Sequence, residues 1–106
     1  MQDWDPKKMS EQFRVQAEDA ARYAKEAKGK MSRTNTYRLL YDEHLARCYV
    51  FAALPDGSHL DSREDSISFL NQLIQDRPTP FGACDADYFE DQRIKCIKQV
   101  LCDITI

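Results

Sequence analysis

The chain has 106 residues and a formal net charge of −3. This length suits one domain with a modest core and is too short for two independent cores. Hydrophobic residues make up 42% and charged residues 31%, which is typical of a globular protein and excludes a fibrous or largely disordered one. We therefore expect residues 1–106 to form a single domain.

No part of the sequence predicts contact with a membrane. A membrane-spanning helix needs roughly 18 or more consecutive apolar residues, and no stretch approaches that length. The first residues, MQDWDPKKMSEQ, contain no apolar run of the kind that a signal peptide requires. We therefore expect the protein to act in the cytoplasm.

Helical periodicity predicts four helices. The first covers residues 6–28, with Pro6 in its first turn and Gly29 just past its end. A second helix, over 36–54, stops at the turn Pro55-Asp56-Gly57. The other two cover 62–75 and 85–102, and Ser62 and Asp65 resemble a capping box at the start of the third.

The predicted fold is all-α, a compact four-helix bundle-like domain. Connections of about six to ten residues favour antiparallel neighbours along the chain. The alternative is an α+β fold with a buried strand near 46–54, because the short apolar run ARCYVFAAL is ambiguous by periodicity alone.

The second predicted helix has two apolar faces. The main face carries Tyr41, Cys48 and Phe51, while Leu39, Ala46 and Val50 fall on nearly the opposite side. A helix that is apolar on both sides is either central in its own fold or offers one side to a partner. The second option makes Leu39, Ala46 and Val50 a candidate partner surface.

Charge is unevenly distributed along the chain. The first 53 residues carry 10 cationic and 8 acidic side chains, and the remaining 53 carry 5 and 10. The carboxylates of this acidic half could mimic nucleic acid, namely Asp56, Asp61, Glu64, Asp65, Asp76, Asp85, Asp87, Glu90 and Asp91. Four of them open the fourth helix, where they complement the helix dipole and could also contact a partner. This second candidate partner surface consists of Asp85, Asp87, Glu90 and Asp91.

A basic cluster surrounds the turn between the first two helices. Its members are Lys25, Lys28, Lys30, Arg33 and Arg38, with Tyr37 adjacent. Cations beside an aromatic ring could bind phosphates with some base stacking. The overall pI of about 5.3 and the absence of a recognition-helix signature argue against nucleic acid as the principal partner.

Cysteine and histidine residues do not form a recognisable metal or catalytic motif. His44 and Cys48 have a spacing found at metal sites, and Cys84 and Cys96 could add sulfurs, but the chain contains no CxxC pair. We expect Cys48, Cys84, Cys96 and Cys102 to be free thiols and the protein to hold neither metal nor cofactor. His59, in a loop rich in turn-forming residues, is expected to be solvated rather than catalytic.

Asp65-Ser66-Ile67, at the start of the third helix, resembles the motif of acyl carrier proteins. In that family the serine of an Asp-Ser-Leu triplet carries a phosphopantetheine arm, so the resemblance implies such an arm on Ser66. The resemblance covers three residues and departs from the family pattern, because two long helices precede this one and Ser66 lies within its first turn.

These patterns predict a non-enzymatic protein-binding module, of the inhibitor, adaptor or assembly-chaperone type. The absence of a catalytic motif, the second apolar face and the acidic half favour this class. Another protein is the expected partner, and a homo-oligomer is an alternative. The rival function is nucleic-acid binding through the cluster from Lys25 to Arg38.

Overall fold

A computed structural model describes residues 3–76 and 85–105. Four helices form within these ranges: α1 (Pro6–Lys30), α2 (Asn35–Ala52), α3 (Arg63–Gln75) and α4 (Ala86–Thr105). A short 3-10 turn, Ser58–Leu60, precedes α3, and the described residues contain no strand. The all-α prediction is therefore confirmed, and the strand near 46–54 was wrong, since most of that run lies in α2.

Local sequence explains where the helices begin. Asp5 caps α1 by accepting hydrogen bonds from the backbone N–H groups of Lys7 and Lys8, and Pro6 follows it. Ser62 caps α3 by accepting from the N–H of Asp65 at 3.1 Å, as the capping pattern predicted. Gly29 lies inside α1 rather than beyond its end, so this helix is longer than expected.

The spatial order of the helices is α1–α2–α4–α3. The hairpin of α1 and α2 is antiparallel, since Phe13 stacks on Phe51 near one end and Tyr23 contacts His44 further along. Consecutive helices α2 and α3 are not neighbours in the described residues, because α4 lies between them. The expectation of antiparallel neighbours therefore fails for α2 and α3. Helix α2 runs parallel to α4, since Asp42 contacts Asp85 at the start of α4 and Tyr49 contacts Phe89 further along both helices.

The main core draws on every helix. Phe13 of α1, Val50 of α2, Leu70 of α3 and Ile97 of α4 are all buried in one cluster. A second, smaller cluster joins Ala24 and Ala27 to Tyr41 further along the hairpin. Small alanine side chains allow the two helices to approach closely there, and this end of the hairpin extends beyond the start of α4.

Candidate functional site

The predicted apolar partner surface does not exist in this fold. Ala46 and Val50 are fully buried and only Leu39, with 46% exposure, faces solvent. The reason is that α2 is the central helix, with α1 packed on one side and α4 on the other. Of the two explanations for a helix with two apolar faces, the internal one is correct.

The predicted acidic surface loses one of its four members. Asp85, Asp87 and Asp91 are exposed, but Glu90 is buried and pairs with Arg93. Asp85 also acts structurally, accepting a hydrogen bond from the N–H of Tyr88 at 3.1 Å. Three exposed acids at one helix start remain, as expected from complementation of the helix dipole.

Arg93 forms a buried polar centre that the sequence analysis did not identify. Its guanidinium is fully buried and donates two hydrogen bonds to Glu90, at 2.9 and 2.7 Å. It also donates to the backbone carbonyls of Leu73 and Ile74 at the end of α3, at 2.6 and 3.2 Å. Arg93 therefore caps α3 and ties it to α4, which is a structural role.

The two residues considered for catalysis and for modification, His59 and Ser66, both make contacts that stabilise the fold. His59 stacks on Phe69 at a ring-centroid distance of 4.0 Å, and its Nε2 lies 2.7 Å from the carbonyl oxygen of Leu54, so it is packed rather than solvated. Ser66 is fully buried and donates a hydrogen bond to the carbonyl of His59 at 2.6 Å. A buried serine cannot carry the phosphopantetheine arm that the acyl-carrier resemblance implied.

The thiols differ in exposure. Cys48, Cys96 and Cys102 are free, whereas Cys84 lies outside the described residues. Burial raises the pKa of Cys48, and it raises the pKa of Cys96 to about 11, so these thiols remain protonated at neutral pH. Within residues 3–76 and 85–105, no three His, Cys, Asp or Glu side chains meet in a group that could hold a metal ion.

The basic cluster is solvent-exposed throughout. Its five cations all lie around the turn of the α1–α2 hairpin, and their side chains face solvent. Lys30 also lies against the ring of Tyr37, with its Nζ 5.7 Å from the ring centroid. We call this region, residues 22–38, the hairpin end.

A groove runs between α1 and α4. Among the described residues, no Cα atom of α1 lies within 8 Å of one in α4, so the backbones of the two helices stay apart and form the walls of the groove. Apolar side chains line the groove between these walls, namely Phe13, Phe51, Val100 and Ile104. Its volume is about 600 Å³ beside Trp4, and a second part of about 390 Å³ continues toward Arg47.

The rims of this α1–α4 groove are polar and balanced in charge. Amide side chains stand on both walls: Gln12 and Gln16 on α1, and Gln92 and Gln99 on α4. The charged lining residues are three acids and three bases, Asp3, Glu43, Asp103, Arg47, Arg63 and Lys95. The sequence signal for this groove was the presence of glutamines beside the apolar stripes of α1 and α4. Those glutamines did not show that the two stripes would face each other.

Together the fold and the groove define a small all-helical domain with an open, apolar-floored groove. A comparison of the chain with protein-family models, with curated proteins and with solved structures found no match. None of the helices in the described part of the chain has both the length and the apolar character needed to cross a membrane.

Proposed function

We propose that the protein is a cytoplasmic, non-enzymatic protein-binding module, of the inhibitor or adaptor type, whose α1–α4 groove takes an amphipathic helix of a partner protein. The observation that supports this proposal is an open groove with an apolar floor between two helices whose backbones stay apart. An amphipathic helix would cover this floor with its own apolar face.

The dimensions of the groove suit a short helix. From Gln92 to Ile104 the α4 wall is about 18 Å long, at 1.5 Å per residue, which accommodates about three helical turns of a partner. Apolar residues of the partner at positions i, i+3 or i+4, and i+7 would then contact Trp4, Met9 and Phe51, the partly exposed apolar residues of the lining.

The charges of the groove favour protein over nucleic acid at this site. Three acids and three bases line it, so it presents no excess of positive charge to a phosphate backbone. The amides of Gln12, Gln16 and Gln99 can both donate and accept hydrogen bonds, which suits the polar flanks of a helix.

Contacts at one end hold the α1 wall in place. The indole N–H of Trp4 donates to the carbonyl of Leu60 at 2.6 Å, and the hydroxyl of Ser10 donates to the carbonyl of Pro55 at 2.5 Å. The guanidinium of Arg63 lies over the Trp4 ring at 5.6 Å. A groove arranged in advance loses less conformational entropy on binding.

Paired glutamine substitutions test the proposal. Exposed Gln16 and Gln99 line the groove, and Gln16→Lys/Gln99→Lys places two cations at the edge of its apolar floor. Gln72→Lys/Gln75→Lys makes the same charge change at exposed positions of α3 outside the groove. Each tagged protein is incubated with extract of the source cells, and bound proteins are quantified by mass spectrometry.

We expect the wild type and the α3 control to retain the same partner, and the groove variant to retain about tenfold less, because the cations oppose desolvation of the floor. Circular dichroism should show all three proteins equally helical. Equal retention by all three proteins would contradict the proposal, as would the absence of any retained protein.

A second copy of the chain is the competing occupant of the groove. Sedimentation equilibrium of the wild type and the Gln16→Lys/Gln99→Lys variant distinguishes it from a foreign helix. We expect both to sediment as monomers. A wild-type dimer that the groove variant lacks would replace the proposal with self-association.

Nucleic-acid binding is a second candidate function, supported by a different observation. The five cations of the basic cluster are exposed and gathered at one end of the molecule, where phosphates can reach them. This candidate requires no part of the groove.

A further inference from the structure

The hairpin end contains a small pocket as well as cations. Between α1 and α2 a pocket of about 180 Å³ is lined by Tyr23, Tyr37 and His44, with Leu40 and Ala27 among its apolar neighbours. The ring of Tyr23 contacts that of His44 at a centroid distance of 5.4 Å, and Tyr23 is 43% exposed. Three rings surround one opening, and flexible cations lie over two of them, Arg22 over Tyr23 at 5.2 Å and Lys30 over Tyr37 at 5.7 Å. A base that stacks there takes the place of one of these side chains.

Residues 22–38 include six cations, Arg22, Lys25, Lys28, Lys30, Arg33 and Arg38, and one acid, Glu26. Glu26 and Lys30 themselves line the pocket. Because the N–H of Asp85 donates to Asp42, α4 begins at the level of Asp42 on α2. The hairpin end therefore projects about 10 Å beyond it, at 1.5 Å per residue.

The imidazole of His44 has unused hydrogen-bonding capacity. Its Nδ1 is buried and has no hydrogen-bond partner within the described residues, which is unfavourable for a polar atom. Burial lowers the pKa of His44 despite the opposing charges of Glu43 and Glu26, while Arg47 lowers it further. The ring is therefore neutral at pH 7, and because Nδ1 is inaccessible, His44 contributes its ring face to the pocket.

We propose that the hairpin end binds single-stranded nucleic acid, with one base in the pocket of Tyr23, Tyr37 and His44 and the adjacent phosphates on the surrounding lysines and arginines. This inference rests on the second candidate function and gives it a defined site. Stacking a base requires an unpaired strand, because the faces of bases in a duplex are already covered.

Glu26 gives the pocket a preference among bases. A carboxylate accepts hydrogen bonds, so it favours a base that carries an exocyclic amino group over one that has only a carbonyl at that position. Cytosine and thymine differ in this way, with an N4 amino group in one and an O4 acceptor in the other. The site therefore binds cytosine in preference to thymine.

Fluorescence anisotropy with labelled 12-nucleotide strands at pH 7.5 and 50 mM salt tests the site. The probes are oligo-dC, oligo-dT, the oligo-dC duplex with oligo-dG, and an abasic strand of equal charge. The variants are Tyr23→Leu in the pocket and Glu26→Gln beside it. Tyr49→Leu is the matched control, because Tyr49 is 44% exposed and lies outside the pocket.

We expect oligo-dC to bind most tightly and to lose affinity steeply with salt. The log–log slope should be about −3.5 if five cations each neutralise one phosphate. Tyr23→Leu should weaken oligo-dC binding at least about fivefold, the lower range for one stacked base, without changing abasic-strand binding. Tyr49→Leu should bind as the wild type does, and Glu26→Gln should abolish the preference for oligo-dC over oligo-dT.

Two different failures can be distinguished. If all four probes bind equally and Tyr23→Leu behaves as Tyr49→Leu does, the pocket is not a base site, although charge-driven nucleic-acid binding stands. If no strand binds at 50 mM salt, both the site and the second candidate function are wrong. Displacement of oligo-dC by an equal charge concentration of poly-glutamate would overturn the site in favour of an acidic protein segment.

Discussion

At the scale of single residues, Glu90 shows why sequence alone misplaced part of the candidate site. It stands in an acidic run at the start of a helix, where an exposed carboxylate is the ordinary expectation. Its burial depends on Arg93, one turn later, and on the carbonyls at the end of α3, which are distant in sequence. These carbonyls lie too far from Glu90 in the sequence for any local pattern to include them.

Arg93→Met should lower the free energy of unfolding by about 3–5 kcal/mol, because it leaves the buried Glu90 carboxylate and the α3 carbonyls without their donor. Urea denaturation followed by circular dichroism measures the change. Lys98→Met is the matched control, since Lys98 is exposed on the same helix and its replacement should leave the urea midpoint nearly unchanged. A loss below about 1 kcal/mol for Arg93→Met would show that the pair is not structurally important.

At the scale of helices, most of the fold could be predicted. Ser62 and Asp5 stand immediately before their helices as caps, and the apolar stripe containing Phe13, Ala20 and Ala24 is buried as its periodicity indicates. The two apolar faces of α2 were also visible in sequence. Periodicity reports that a face is apolar but not which neighbour covers it, so it could not distinguish an interface with α4 from one with a partner.

Substitutions at two positions of the same predicted apolar face of α2, Val50 and Leu39, should therefore have different outcomes. Val50→Glu places a carboxylate in the main core and should cost at least about 4 kcal/mol, a large part of the roughly 5–15 kcal/mol that stabilises an ordinary domain. Leu39→Glu lies at a half-exposed position and should leave the thermal midpoint almost unchanged. Far-ultraviolet circular dichroism on heating separates them, and a Val50→Glu protein with the thermal midpoint of the wild type would contradict the position of Val50 in the core.

At the scale of the whole molecule, the α1–α4 groove and the hairpin end arise from the order of the helices. Short connections between helices favoured a bundle of antiparallel neighbours, but α4 packs beside α2 and leaves α1 without a second helical neighbour along the groove. The order in which the helices pack depends on how residues of all four helices fill one core, including Leu54 and Ile97. The length of a single connection does not determine that order. The groove could therefore not be predicted from periodicity.

Trp4 lies at the end of the groove that is distant from the hairpin end, so it can report on the groove alone. It is the only tryptophan of the chain and lines the groove, whereas Tyr23 of the hairpin pocket lies about 26 Å along α1 from Pro6, at 1.5 Å per residue. A helix that fills the groove excludes water from the indole, so the partner recovered through the groove should shift Trp4 emission to shorter wavelength. Oligo-dC at the hairpin end should leave that emission unchanged.

Matched variants connect this signal to the groove itself. Gln16→Lys/Gln99→Lys should lose the emission shift together with partner binding, and Gln72→Lys/Gln75→Lys should keep both. A shift caused by oligo-dC would mean that the two surfaces are coupled through α1. Partner binding without a shift would place the contact elsewhere, since a helix beside Phe13 and Ile104 cannot lie there without altering the surroundings of Trp4.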